Sequence, residues 1–313
     1  MSLKSLNNER GIALLLTLVI LALLVAVIVE FDYGTKVNLI TAANFRDEVQ
    51  ATYLAKSGIA AARAVLKDDA KQPESSKYDA LTEFWARPFP PYPVGDGSVS
   101  VAITDEAGKI DVNRLGDKAS QVREDTKAMV TRLLDVLEIP PNEINPIVEA
   151  IKNWVDPLSA NECPEDNFYQ RQDPPYRCKK APMDSLSELQ LVKGVTPEIY
   201  QKIRPYLTTV SVAATPVNIN TADLPVLQSL DDNIDYNTAV CIQEHRPYES
   251  LTEFFGCANA VGACSLTTRC RRQIRFKSSY FTITAHGIVH DTDKVVTALV
   301  QRDENKIVFW HIE

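Results

Sequence analysis

The chain has 313 residues, of which 45% are hydrophobic, enough for a real core and far too many for a disordered tail. There is room for a membrane helix plus one large or two modest domains. A formal net charge of −8 disfavours nonspecific attraction to nucleic acid or to an anionic membrane surface, so any basic site has to be local.

A short leader ends in Glu9-Arg10-Gly11, and Ile12 to Val29 follow as 18 residues without a charge. As a helix this run reaches about 27 Å, close to the hydrocarbon thickness of a bilayer. Lys4 and Arg10 lie before it and Glu30 and Asp32 after it, a bias that puts the N-terminus in the cytoplasm and everything beyond Phe31 outside. A secretory signal would have a shorter apolar region and a small-x-small cleavage site, whereas this run closes on Ala26-Val-Ile-Val-Glu-Phe31. No proline occurs between Gly11 and Pro73, and Val37, Ile40, Phe45, Val49, Tyr53, Ile59, Ala62 and Leu66 recur at helical spacing. One helix is therefore expected to continue far outside the membrane, its second half packed on a globular head.

From Pro73 to Gly97 the chain is rich in Pro, Gly and Ser, with Arg87-Pro-Phe-Pro-Pro-Tyr-Pro93, and reads as a loop. Val99 to Ile103 alternates as a strand, Asp105 to Gly108 turns, and Lys109 to Asn113 is expected to return as a hairpin partner. About 160 residues of helical periodicity follow, including Ala128–Leu137, Ile144–Trp154 and Pro197–Ile203. Tyr280–Val289, Lys294–Gln301 and Ile307–Ile312 then read as three strands, with turns at Asp291–Asp293 and Asp303–Asn305. The fold class is α+β: a long N-terminal helix on an antiparallel sheet, with a large, mostly helical domain inserted between strands.

A charged leader ending in Gly before an intact apolar helix resembles the prepilins and pseudopilins. The resemblance narrows to the K-type minor pseudopilin of type II secretion, general secretion pathway protein K. It is carried by Asp105-Glu-Ala-Gly-Lys-Ile-Asp-Val-Asn-Arg-Leu115, Asn153-Trp-Val-Asp156, Glu165-Asp-Asn-Phe-Tyr169 and Asp173-Pro-Pro-Tyr-Arg177. Leu186-Ser-Glu-Leu-Gln-Leu-Val-Lys-Gly194 and Val217-Asn-Ile-Asn-Thr-Ala222 complete the series in the family's order. Pilins usually carry Glu at the fifth mature position; here that position is Leu16. An intramembrane carboxylate persists where it has a partner, so its replacement suits a subunit at the filament tip.

The resemblance implies cleavage between Gly11 and Ile12 by a prepilin peptidase and methylation of the new amine on Ile12. It implies a pilin-like head with an inserted helical domain (SAM-like or helix-hairpin-helix-like), divided as follows. Residues 1–11 are the leader, 12–31 the membrane helix, 32–72 the periplasmic part of the long helix and 73–116 a loop with the first strands. Residues 117–276 are the inserted domain and 277–313 the last strands. The implied product is a non-enzymatic inner-membrane protein with a single span and a periplasmic C-terminal domain. Implied partners are minor pseudopilins of the I, J and H types and the inner-membrane assembly platform, in a role that starts the pseudopilus exporting folded proteins.

Six cysteines, at 163, 178, 241, 257, 264 and 270, lie on the outer side where oxidation is permitted, and the absence of a C-x-x-C pair disfavours zinc. Only a Cys163–Cys178 bridge is assigned; the pairing of Cys241, Cys257, Cys264 and Cys270 stays open. Asp156, Glu162, Glu165, Asp166 and Asp173 crowd one proline-rich segment opposed only by Arg171. A solvated acidic loop and a calcium site compete for that pattern, since no EF-hand spacing is present. The resemblance implies calcium, with Asp156, Glu165, Asp166 and Asp173 as ligands.

Leu186–Leu207 and Val217–Phe255 look like degenerate helix-hairpin-helix units, which makes a membrane-anchored DNA-binding protein of a competence or type IV pilus system the rival reading. Its second unit sets seven carboxylates against Arg246, a net of −6, which repels phosphate. The basic run of Arg269, Arg271, Arg272, Arg275 and Lys277 lies beyond both units and reads as a solvated face. His286 and His290 share one face of an expected strand, but no H-E-x-x-H, G-x-S-x-G, P-loop or dinucleotide-binding glycine pattern accompanies them.

Overall fold

The computed structural model describes residues 9–72, 77–157, 163–210, 216–256 and 268–312. Helix α1 runs unbroken over Glu9–Asp69, 61 residues and about 90 Å. Its two halves differ in what covers them: Ile12 to Val29 are exposed throughout, while Ala51, Ala55, Ile59, Ala62 and Leu66 are buried. The expected run at helical spacing is the face that meets the sheet.

That sheet has five antiparallel strands in the order β1-β2-β7-β8-β9: β1 Tyr92–Val94, β2 Gly97–Asp105, β7 Tyr280–Val289, β8 Thr292–Gln301 and β9 Lys306–Ile312. Alternate residues of β7 and β8 (Phe281, Ile283, Ala285, Val296, Ala298 and Val300) pack against α1, with Trp85 closing the far end edge-on to Phe281. Helix and strand approach closely because the seam is built from small residues. A Cβ on Gly287 would come within 2.0 Å of the Ala51 carbonyl oxygen.

The chain leaves β2 at Asp105 and re-enters the sheet at Tyr280, and between them lies a second, mostly helical core. Its helices are α2 Ser120–Val136, α3 Pro141–Val155, α4 Asp166–Tyr169, α5 Pro197–Ile203, α6 Leu224–Ser229, α7 Tyr236–Glu244, α8 Leu251–Gly256 and α9 Thr268–Gln273. Leu133, Ile147, Ile151, Leu189, Ile203, Leu227 and Phe254 fill this core. Two short parallel pairs fasten it: β3 Ile110–Asp111 with β4 Leu207–Thr208, and β5 Val217–Asn218 with β6 Ile274–Arg275.

Two local expectations are corrected. Lys109–Asn113 does not return as a hairpin partner of β2; Ile110–Asp111 pairs in parallel with Leu207–Thr208, and the antiparallel neighbour of β2 is β7. The segment read as loop contains β1, whose Tyr92–Val94 pairs with Gly97–Val99 despite Pro93, a residue tolerated on an edge strand.

The two ends of the head are fixed by ion pairs along α1. At the end nearer the apolar half of α1, His290 Nδ1 lies 3.0 Å from Asp47 and Lys294 pairs with Glu48; at the other end Arg302 meets Asp69 at 3.5 Å. Asp105 and Phe281 are paired at the Arg302 end of the sheet. The helical unit therefore grows from the end of the head that points away from the apolar half of α1.

Candidate functional site

The first site is the uncovered length of α1. Gly11 and Ile12 lie in its opening turns, and Leu16 is exposed like its neighbours. This helix is long and apolar enough to cross a membrane, and the window that qualifies is wholly unburied. Beyond the apolar run, Phe31, Tyr33, Leu39, Ile40 and Phe45 remain exposed on a stretch that comes too early to reach the sheet. Such a surface marks an association site.

The second is the junction between sheet and helical unit, where two of the motifs picked out in the sequence meet. Asp105 Oδ2 accepts from Thr221 Oγ1 at 2.5 Å, Ser278 Oγ at 2.6 Å and Asn218 Nδ2 at 3.1 Å, while Oδ1 accepts from the Ala107 backbone N–H at 2.8 Å. Burial holds the Asp105 carboxyl above the usual range, against the lowering effect of those donors. Beside it Glu106 accepts from Lys109, Thr208 and Thr282. Asn113 clamps Met183 through both its amide groups, and Asn220 clamps Tyr248 in the same way. Arg302 forks onto Asp79 and donates to the Ser278 carbonyl at 2.7 Å. These polar staples fix the orientation of the helical unit on the head; Asp79, Ser278 and Arg302 were not picked out in the sequence because nothing local distinguishes them.

The third is the acidic segment between α3 and Met183. Cys163 and Cys178 are joined, with Cα atoms 6.1 Å apart. Cys241 is disulfide-bonded as well, while Cys257, Cys264 and the Cys270 side chain lie outside the described residues. Inside the segment Glu165 accepts from the Asn153 amide at 3.2 Å, and Asp166 Oδ1 accepts from the Cys178 N–H at 3.0 Å. Asp156 caps the C-terminus of α3, and Asp173 follows α4. Among the described residues no three of Asp156, Glu165, Asp166 and Asp173 bring ligand atoms within 4.8 Å of one another, and Glu162 lies outside them. The donors are hard oxygens suited to calcium, but they are not gathered into a cage. Tyr169 packs edge-on to Trp154 and stacks on Tyr176, and burial pushes its hydroxyl up to about 12. Among the described residues one group of three carboxylates falls within that spacing, Asp69, Asp79 and Glu83; Arg302 meets the first two, Glu83 accepts from the Trp85 indole N–H, and the group belongs to the junction.

The hairpin-like units are built differently from a phosphate clamp. Gly194, at φ +89°, does turn the first, but Ile147 packs against it from the helical core. In the second, Asp231 Oδ1 accepts from the Asn233 backbone N–H at 3.1 Å, so a carboxylate of the chain occupies the amide an anion would need. Of the basic run, Arg272 pairs with Asp125 at 2.9 Å and Arg271 lies over Phe255. His290 stands in the turn after β7 against Asp47, and His286 pairs with Asp293 at 3.2 Å.

Comparison with known proteins places this architecture. A family model described as type II secretion system (T2SS), protein K, matches residues 108–212. Type II secretion system protein K of Pseudomonas aeruginosa is 30% identical over 312 residues, covering 96% of this chain and 90% of that protein. The chain belongs to the type II secretion system protein K family. The Klebsiella pneumoniae member is 30% identical over 222 residues, covering 69% of this chain and 67% of that protein. Among solved structures, the GspK-GspI-GspJ complex of the type 2 secretion system of enterotoxigenic Escherichia coli contains a chain of the same fold. Its TM-score is 0.76 at 19% identity, covering 87% of this chain and 99% of that one. The protein K family consists of minor pseudopilins, structural subunits of the secretion apparatus, and the exposed N-terminal helix is the candidate membrane anchor.

Proposed function

We propose that this minor pseudopilin sits at the tip of the type II secretion pseudopilus and helps to start its assembly for export of folded proteins. The observation that carries the reading is the placement of the helical unit at the membrane-distal end of the head. A subunit stacked above would have to occupy that volume. Subunits below and beside it are met by α1, whose apolar length outside the membrane has no cover among the described residues. Leu16 agrees with this: a subunit with no neighbour's N-terminal amine to neutralise has no use for a carboxylate in the membrane.

In this reading the N-terminus is cytoplasmic, the helix spans the inner membrane once, and the head and helical unit are periplasmic. Cleavage falls between Gly11 and Ile12, followed by methylation of Ile12. The partners are minor pseudopilins of the I, J and H types and the assembly platform; the Escherichia coli complex, in which a chain of this fold occurs with GspI and GspJ, supports the first two. Intact-mass analysis of the chain co-expressed with prepilin peptidase is expected to show loss of residues 1–11 and a methyl group on Ile12. An unchanged mass would sink the reading.

Asp156, Glu165, Asp166 and Asp173 are proposed to hold calcium, which when bound would neutralise the segment. The carboxylates have to close around the ion, since they are not gathered in the structure. Calcium at 100 times its dissociation constant stabilises by about 2.7 kcal/mol. Chelation is therefore expected to lower the melting temperature by several degrees, and readdition to restore it; a melt indifferent to both would exclude a structural ion.

A further inference from the structure

β9 forms one edge of the sheet, and Val308, Phe309, Trp310 and Ile312 are exposed on it, Phe309 at 60% and Trp310 at 48%. A strand paired on one side only offers a free row of backbone donors and acceptors, the template to which an extended segment adds. Sheet edges are commonly blunted by bulges and charges. Here the register shift opposite Leu299 and Val300, together with Lys306, protects the first half of β9; Phe309–Ile312 is in regular register with Val296–Leu299.

Lys56 of α1 stands beside that regular half, with its ammonium 5.0 Å from the Trp310 ring and 5.2 Å from the Tyr53 ring. No carboxylate among the described residues lies within ion-pair distance of it. A cation held between two exposed rings, with no anion among the described residues, is complementary to an incoming carboxylate. Tyr53 also continues the exposed file of Phe45 and Val49 at four-residue spacing on α1. The patch is thus continuous with the uncovered helix surface assigned above to the filament.

We propose that Phe309–Ile312, with Tyr53 and Lys56, receives an extended segment of a neighbouring minor pseudopilin. The segment is apolar at alternate positions and bears a carboxylate that meets Lys56. A second copy of this chain is the poorer occupant, because pairing two β9 edges about a twofold axis brings the two Lys56 cations together. The proposal rests on the minor-pseudopilin reading and adds to it a surface and a recognition chemistry.

The test uses the full-length chain in membranes that also contain the other pseudopilins. A photoreactive benzoylphenylalanine is placed at position 309 or, as control, at exposed position 236 on α7. Irradiation is expected to join position 309 to another minor pseudopilin and position 236 to none. Lys56→Glu is expected to lower the yield from position 309 about tenfold, a weakening of roughly 1.4 kcal/mol, with an unchanged thermal melt and continued co-isolation through α1. A carboxylate-to-lysine change on the segment identified by the adduct should restore the yield. Joining of two copies of this chain, joining to exported protein, equal yields at 309 and 236, or a yield indifferent to Lys56→Glu overturns the β9 proposal while the functional reading stands. Loss of co-isolation in the unsubstituted chain overturns both.

Discussion

Asp105 accepts hydrogen bonds from Thr221, Ser278, Asn218 and Ala107, gathering four donors on one buried carboxylate. Asp105→Ala removes their shared buried acceptor and is expected to cost about 3 kcal/mol, read from urea denaturation of the detergent-solubilised chain. Its titration has a definite sign. The folded carboxyl lies above its unfolded value of about 3.9, so the native state binds the proton more tightly. The resulting contribution is complete below about pH 4 and is lost as pH rises through the native pKa. Asp105→Asn lacks this component; the stability of the wild-type chain relative to that variant should fall as pH rises above about 4, and a constant difference would contradict the assignment. The Asp105-Glu-Ala-Gly108 motif was legible as a landmark. Its role as an acceptor was not, because Thr221 and Ser278 lie more than a hundred residues away and are ordinary hydroxyls until the fold brings them together.

Elements with a strong period were the most legible ones. The unbroken helix α1 followed from the absence of proline and the spacing of its apolar residues, and strands β7, β8 and β9 from alternation and polar turns. Ile110–Asp111 went to the wrong partner because a two-residue parallel pair carries no periodic signal, and the chain that decides it, Leu207–Thr208, is remote. The acidic segment has weak local structure of its own: the four-residue α4, the disulfide and the aromatic stack of Tyr169 on Tyr176 hold it. Replacing Cys163 and Cys178 together by serine removes closure of a short loop, worth about 3 kcal/mol. The expected result is a lower urea midpoint with α3 and its core contacts retained, as judged by far-ultraviolet circular dichroism; an unchanged midpoint would show that packing alone fixes the segment.

For the whole molecule, order along the chain translates into position along an axis. The apolar half of α1 lies at one end, the sheet packs on the other half, and an insertion between β2 and β7 extends the far end. That layout was readable in outline from two groups of strands separated by helical periodicity. Which end of the head carries the insertion needed the ion pairs of Asp47, Glu48 and Asp69. The proposed tip role requires a single position in the filament. Labelling the helical unit with gold through a tag on the full-length chain, in assembled pseudopili viewed by electron microscopy, tests this directly. A single label at one end of each pseudopilus is expected; labels spaced along the shaft would contradict a tip subunit.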